Sequence, residues 1–413
     1  MPTASALSSS RIQAIDALRG FALAGIVLVH MVEQFVGGPL PESAAVAMAP
    51  DLIDQLVRGG IFIFFQGKFY LLFSFLFGVS FFLQMDRAAQ QGQNFQGRFV
   101  WRLLILLLFG VAHSLVYRGD ILTVYVVLGL FLPLFYTVSD RSLLVVALVL
   151  FLGAGRYLCF WLFGSDQPFG GPDLSPQSSY TEAYFAILKE GSLGQVLWEN
   201  LTNGLRAKMN FQFGVFGRGY TTFAFFLIGL WVGRRRILVQ ADQHRKLIKR
   251  VLWSSVGLLV VSLAGTAGVF SQLPQPVAFD TWGSMIGLTS FDLANIALTG
   301  VIIMGFLLLF YRRERSALRV FAPYGRMALS NYLAQSVIGT FIYYGWGLGY
   351  LADVRNVYAL VLGIIIIVGQ MLLSAWWMQR FRYGPLEWIW RCATYGRWMP
   401  FVRRASSTEK TVV

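Results

Sequence analysis

The chain predicts an all-α polytopic membrane protein, a bundle of about ten transmembrane helices, and three observations carry that reading. Of its 413 residues, 56% are hydrophobic and only 13% are charged, whereas a soluble domain carries about 25% charged residues. The apolar residues gather into runs close to the roughly 20 residues that cross a bilayer, and the mean hydropathy is +0.60. The net charge of +14 sits in short basic stretches on alternate connections, the positive-inside pattern. That distribution, with no nucleic-acid motif beside it, argues against a nucleic-acid partner and for the lipid bilayer.

Taken in order, the spans are expected at about 14–35, 60–83, 98–117, 120–138, 141–163, 213–233, 250–270, 292–311, 326–345 and 354–379. The chain then divides into an N-terminal bundle over 1–163, a segment over 164–212 and a C-terminal region over 213–413. The connections orient them. Residues 84–102, 233–250, 312–326 and the tail from Arg380 carry net charges of +2, +6, +4 and +5. The segments 36–59, 164–212 and 271–292 each carry −2. Every basic connection falls on one side, so both termini are expected in the cytoplasm. The first apolar run reads as a retained span, because the polar start lacks a basic n-region. Within 164–212, Tyr184, Leu188, Leu197, Leu201 and Leu205 recur at roughly helical spacing. They suggest either an amphipathic helix on the outer membrane surface or a loop with a short packed helix.

Ionisable residues inside spans are costly and mark functional candidates. In span 1, ten residues separate Arg19 from His30. That step puts the two within roughly 20° of one face and roughly 16 Å apart along the axis. His113, Asp120, Lys68, Arg156 and Arg218 all fall in the outer half of other spans, and their common depth points to a shared polar cavity. The inner half holds Asp16 beside Arg19, then Arg326, Ser330, Asn331 and Gln335. Asp16–Arg19 could equally be a local ion pair worth a few tenths of a kcal/mol. The three histidines are scattered, so no metal centre is expected. No phosphate-binding Gly-Lys-Ser/Thr loop is present in the sequence. Cys159 and Cys392 lie too far apart in this topology to pair.

Several blocks resemble a known family. Ile15-Asp16-Ala17-Leu18-Arg19-Gly20, Gly67-Lys68-Phe69 with the run Leu72 to Gly78, His113, and Gly119-Asp120-Ile121-Leu122 resemble the N-terminal half of YeiB-like membrane proteins. Gly325-Arg326-Met327-Ala328-Leu329-Ser330-Asn331-Tyr332-Leu333 and Phe381-Arg382-Tyr383-Gly384-Pro385-Leu386-Glu387-Trp388 resemble their C-terminal domain of unknown function 418. That family is similar in turn to transmembrane acyltransferases, including the acyltransferase-3 enzymes and heparan-glucosaminide acetyltransferase. In acyltransferase-3 enzymes a basic residue, ten residues and a histidine occupy an early span, a spacing that Arg19 and His30 match.

The resemblance implies a transmembrane-acyltransferase-like bundle in a bacterial inner membrane. It further implies transfer of an acyl group from cytoplasmic acyl-CoA, acetyl-CoA being the simplest, to an extracytoplasmic carbohydrate. Asp16, Arg19 and Arg326 would meet the CoA, with His30, His113 and Asp120 handling protons. Lys68, Arg218, Arg156, Asn331 and Gln335 would bind substrate or stabilise the oxyanion. The alternatives are a secondary transporter or channel for a small anion, with the buried cations as its site, and a non-catalytic scaffold. A homodimer is compatible with the apolar surface.

Overall fold

The computed structural model describes residues 4–92, 95–241, 243–312 and 316–403. Asp242, Arg313, Glu314, Arg315 and the chain beyond Arg403, which enter the charge counts, lie outside the described residues. The helices run as α1 (Ala4–Val32), α2 (Glu42–Met48), α3 (Leu52–Phe64), α4 (Phe69–Gln90), α5 (Gln96–Val116), α6 (Leu122–Gly129) and α7 (Leu132–Phe135). There follow α8 (Asp140–Phe151), α9 (Ala154–Phe163), α10 (Ser179–Glu190), α11 (Leu193–Leu201), α12 (Asn203–Phe213) and α13 (Arg218–Arg234). The chain continues through α14 (Arg245–Phe270), α15 (Trp282–Phe310), α16 (Phe321–Arg326), α17 (Ala328–Tyr343), α18 (Asn356–Arg380) and α19 (Pro385–Tyr395). Among the described residues no strand forms beyond a single bridge between Phe381 and Val402.

The protein is an all-helical membrane protein. Among the described residues six stretches are long and apolar enough to cross a bilayer, and two bent pairs bring the number to as many as eight. Those pairs are α8 with α9, bent by 52°, and α12 with α13, bent by 56°. The expected spans at 120–138 and 326–345 are built differently. The first is split into α6 and α7, eight and four residues long, with Pro133 at the start of α7. The second is the 16-residue α17, preceded by the short α16. A 16-residue helix rises about 24 Å, short of the roughly 30 Å hydrocarbon core.

Close backbone crossings hold the bundle together. A Cβ on Gly325 would stand 1.9 Å from the Asp16 carbonyl, and one on Gly20 2.2 Å from that of Phe321, so α1 and α16 touch backbone to backbone. Gly78 and Gly229 do the same for α4 and α13, at 2.0 and 2.1 Å from the Phe226 and Phe75 carbonyls. Small residues at such crossings let helices gain dispersion contacts that lipid cannot offer. The two ends of the bundle differ in charge. Arg236 reaches Asp86, Tyr311 donates to the Leu238 carbonyl, Trp390 donates to that of Arg102, and Arg19 donates to Ser80. These contacts tie the described parts of the four basic connections into one end.

The opposite end is covered by 164–212, which folds as three short helices rather than one. Tyr184, Leu188 and Val196 are buried, while Trp198, Leu201 and Leu205 are exposed. Tyr184 donates to the Val36 carbonyl, Asn200 donates to that of Leu115, and Arg118 lies 3.8 Å from the Tyr184 ring. The segment is therefore a packed cap over α1 and α5, with an apolar outer face.

Candidate functional site

Three helix breaks, each centred on a glycine with positive φ, build the site. Gly67 (φ +85°) separates α3 from α4, Gly153 (φ +83°) separates α8 from α9, and Gly217 (φ +65°) separates α12 from α13. Only glycine adopts these angles without strain. All three pack on one stretch of α15 and the arginine beside it. A Cβ on Gly67 would meet the Asn295 amide at 3.1 Å, one on Gly153 the Thr289 hydroxyl at 2.8 Å, and one on Gly217 an Arg156 nitrogen at 3.7 Å. Broken helices survive at membrane depth only where protein or a cavity satisfies the freed groups. Here Lys68 Nζ donates to the Phe62 carbonyl at 3.1 Å, across the first break. Arg156 donates to the carbonyls of Val215 and Phe216, across the third.

Arg156 also donates to Thr289 Oγ1 at 2.7 Å and pairs with Asp292. Its guanidinium is buried, and each of its three nitrogens donates to the protein. Arg218 is different. Its guanidinium lies 4.9 Å from the Tyr70 ring and 4.6 Å from that of Phe211, and the side chain is half-buried. Glu33, just past α1, accepts from Gln66 at 2.5 Å.

A second group lies nearby. His113 Nδ1 is 2.7 Å from Asp120 Oδ1, both side chains buried. Asp120 Oδ2 accepts from the Thr123 amide at 2.9 Å and its hydroxyl at 2.7 Å, and Lys208 Nζ stands 3.7 Å away. These bonds fix the carboxylate, which in turn fixes the imidazole, and among the described residues Nε2 is buried with no protein partner. His30 sits across the same pair of tyrosines. Its ring is 5.0 Å from Tyr117 and 6.4 Å from Tyr332, and that of His113 is 5.9 and 4.9 Å from them. His30 Nδ1 is likewise buried without a protein partner, but no carboxylate orients it. The outer-half residues singled out from the sequence thus gather around the helix breaks and the His113–Asp120 pair.

The inner-half residues do not join them. Arg19 donates to Asp16 Oδ1 at 2.9 Å and to Ser80 Oγ at 3.1 Å, at the basic end, and keeps about a quarter of its side chain exposed. Arg326 is exposed there and donates weakly to the Arg382 carbonyl at 3.5 Å. Asn331 is tied to Ser374 Oγ at 2.9 Å and to the Tyr324 carbonyl at 3.3 Å, as a knot between α16, α17 and α18. The Gln335 amide is buried with neither polar atom bonded. Sequence reasoning missed Glu33, Gln66, Lys208 and Asp292. The Gln66-Gly67-Lys68 interruption of an apolar run was the one available signal for the first break.

The two C-terminal motif blocks meet in space. Glu387 accepts from the Leu329 and Ser330 amides at 2.7 and 3.1 Å and from Ser330 Oγ at 2.6 Å, capping the start of α17.

Both blocks lie within one match to a known family. A family model described as a protein of unknown function, DUF418, matches residues 232–397. The uncharacterised protein YxaH of Bacillus subtilis is 32% identical over 416 residues, covering 96% of this chain and 98% of its own length. An uncharacterised 39.9 kDa protein in the amylase 3′ region of Bacillus acidopullulyticus is 27% identical, covering 95% of this chain and 96% of its own. The uncharacterised protein YeiB of Escherichia coli is 27% identical over 95% of this chain and 98% of its own length. Through these motifs, this helical architecture and near full-length similarity, the chain belongs to the YeiB-like family of DUF418 membrane proteins.

Proposed function

We propose that the protein is a transmembrane acyltransferase that moves an acyl group from acyl-CoA, presented at the basic end, to a carbohydrate-like acceptor entering from the opposite end. The basic end would face the cytoplasm of a bacterial inner membrane, as the positive-inside rule requires. The observation that carries the reading is the His113–Asp120 pair. A buried carboxylate holds one ring nitrogen at 2.7 Å and leaves the other unbonded, which is how a general base is set in its working tautomer.

In this scheme His113 Nε2 takes the proton of the acceptor hydroxyl or amine as the oxygen or nitrogen attacks the thioester carbonyl. The tetrahedral intermediate collapses with cleavage of the carbon–sulfur bond. The leaving thiolate of CoA takes the proton back from His113, so the base is regenerated. Lys208 lies beside Asp120 at 3.7 Å, while Arg19 and Arg326 at the basic end offer charge-assisted bonds to the CoA phosphates. His30 completes the aromatic wall opposite His113 and lies on the Arg19 helix, along the path of the pantetheine arm.

The test is acetyl-CoA binding and hydrolysis-corrected acetyl transfer by purified protein. Saturable binding should weaken by about tenfold or more in Arg19→Ala, about 1.4 kcal/mol. His113→Asn should keep binding and lose transfer. Absence of binding by acetyl-CoA and longer acyl-CoAs in folded protein would overturn the proposal in favour of anion transport.

A further inference from the structure

We infer that Arg218 and Lys68 form a site for an oxyanion, a carboxylate or phosphate borne by a sugar, which makes the acceptor an anionic rather than a neutral carbohydrate. The acceptor assignment rests on the acyltransferase reading; the anion site itself does not. Charge accounting around the helix breaks carries the inference. Arg156 is neutralised by Asp292, and each of its three nitrogens donates to the protein. The Glu33 carboxylate already accepts from Gln66. Among the described residues Lys68 finds only the Phe62 carbonyl. Among the described residues the Arg218 guanidinium makes neither a hydrogen bond nor an ion pair, and only the faces of Tyr70 and Phe211 lie against it. Two cations therefore stand against the single remaining carboxylate of Glu33, one positive charge in excess.

An uncompensated charge at this depth is unfavourable, and a bound anion is the ligand that balances it. The donor geometry says which kind. A guanidinium offers a planar fork that matches two oxygens of one carboxylate or phosphate. The rings of Tyr70 and Phe211 beside it take none of its N–H donors in a hydrogen bond among the described residues. Lys68 lies within electrostatic range of the Arg218 guanidinium and would add a point charge to the same ligand. Gly67 and Gly217, by breaking α3 from α4 and α12 from α13, place Lys68 and Arg218 at the starts of their helices.

The experiment is thermal unfolding of the purified full-length protein in detergent, without acyl-CoA, titrated with glucuronate, glucose phosphate and glucose. A saturable rise with one or both anionic sugars and none with glucose is expected, and the responding sugar tells carboxylate from phosphate. In Arg218→Gln and Lys68→Gln the midpoint of that rise should move up by about tenfold or more, while Arg218→Lys keeps part of it. His113→Asn should leave the response intact. A wild-type response equal for glucose, no response to either anionic sugar, or one unchanged in both Gln variants would overturn the site. Loss of acyl transfer with the anion response intact would remove only the acceptor assignment.

Discussion

His113 and His30 carry the same ring and differ in what holds it. Asp120 fixes one, while the other has only aromatic neighbours. Asp120→Asn should therefore free the His113 ring to adopt the wrong tautomer and lower the transfer rate by roughly 100- to 10,000-fold. Acetyl-CoA affinity should stay unchanged, as single-turnover kinetics beside equilibrium binding would show. His30→Phe, which keeps the packing, should cost far less; an equal loss in both would return the base to His30. The spacing of Arg19 and His30 drew attention to span 1, and the structure does put His30 beside His113. The partner that distinguishes the two histidines was visible only as the turn residue Asp120. Glu33 and Asp292 lie at the expected ends of apolar runs, where a carboxylate looks like an ordinary boundary. Lys208 lies in the outer segment, where a solvated lysine is the usual case.

At the scale of helices, two features of the C-terminal region were legible only as words in the sequence and acquire a cause in the fold. The block around Glu387 and the block around Ser330 lie 57 positions apart, yet one carboxylate joins them by capping α17. Glu387→Ala would leave those amides and the hydroxyl without their acceptor, destabilising the protein by about 1–3 kcal/mol. Denaturant titration in detergent would read this as a lowered midpoint, with Glu387→Gln intermediate. The crossing of α1 and α16 sets a harsher limit. Gly325→Leu cannot be accommodated without moving one helix from the other, so yield of monodisperse protein should collapse, whereas Leu at Gly369, which has open space around it, should be silent. Apolar run length located the helices well but could not report their breaks, because a single glycine barely alters a hydropathy window. That is why 60–83 reads as one span and the structure divides it at Gly67.

At the scale of the whole molecule, the separation of basic and acidic ends predicts its placement in the membrane. With Cys159 and Cys392 replaced by Ser, a cysteine at the exposed Gln177 should react with an impermeant maleimide in intact cells. One at the highly exposed Trp398 should react only after permeabilisation; the reverse pattern would invert the orientation. The charge asymmetry was readable from connection to connection, since it needs no tertiary contact. The packed cap over 164–212 was not, because half-buried helices and interfacial helices share one apolar periodicity.

The three glycine breaks have an electrostatic side that side-chain chemistry does not exhaust. Each is followed by the first turn of a helix: α4 from Phe69, α9 from Ala154 and α13 from Arg218. A helix N-terminus carries about half a positive elementary charge from its aligned peptide dipoles. Three such ends start around residues 289–295 of α15, in surroundings that screen them poorly. Part of the positive potential at this place thus belongs to the backbone, where neither pH nor substitution of Lys68 or Arg218 can remove it.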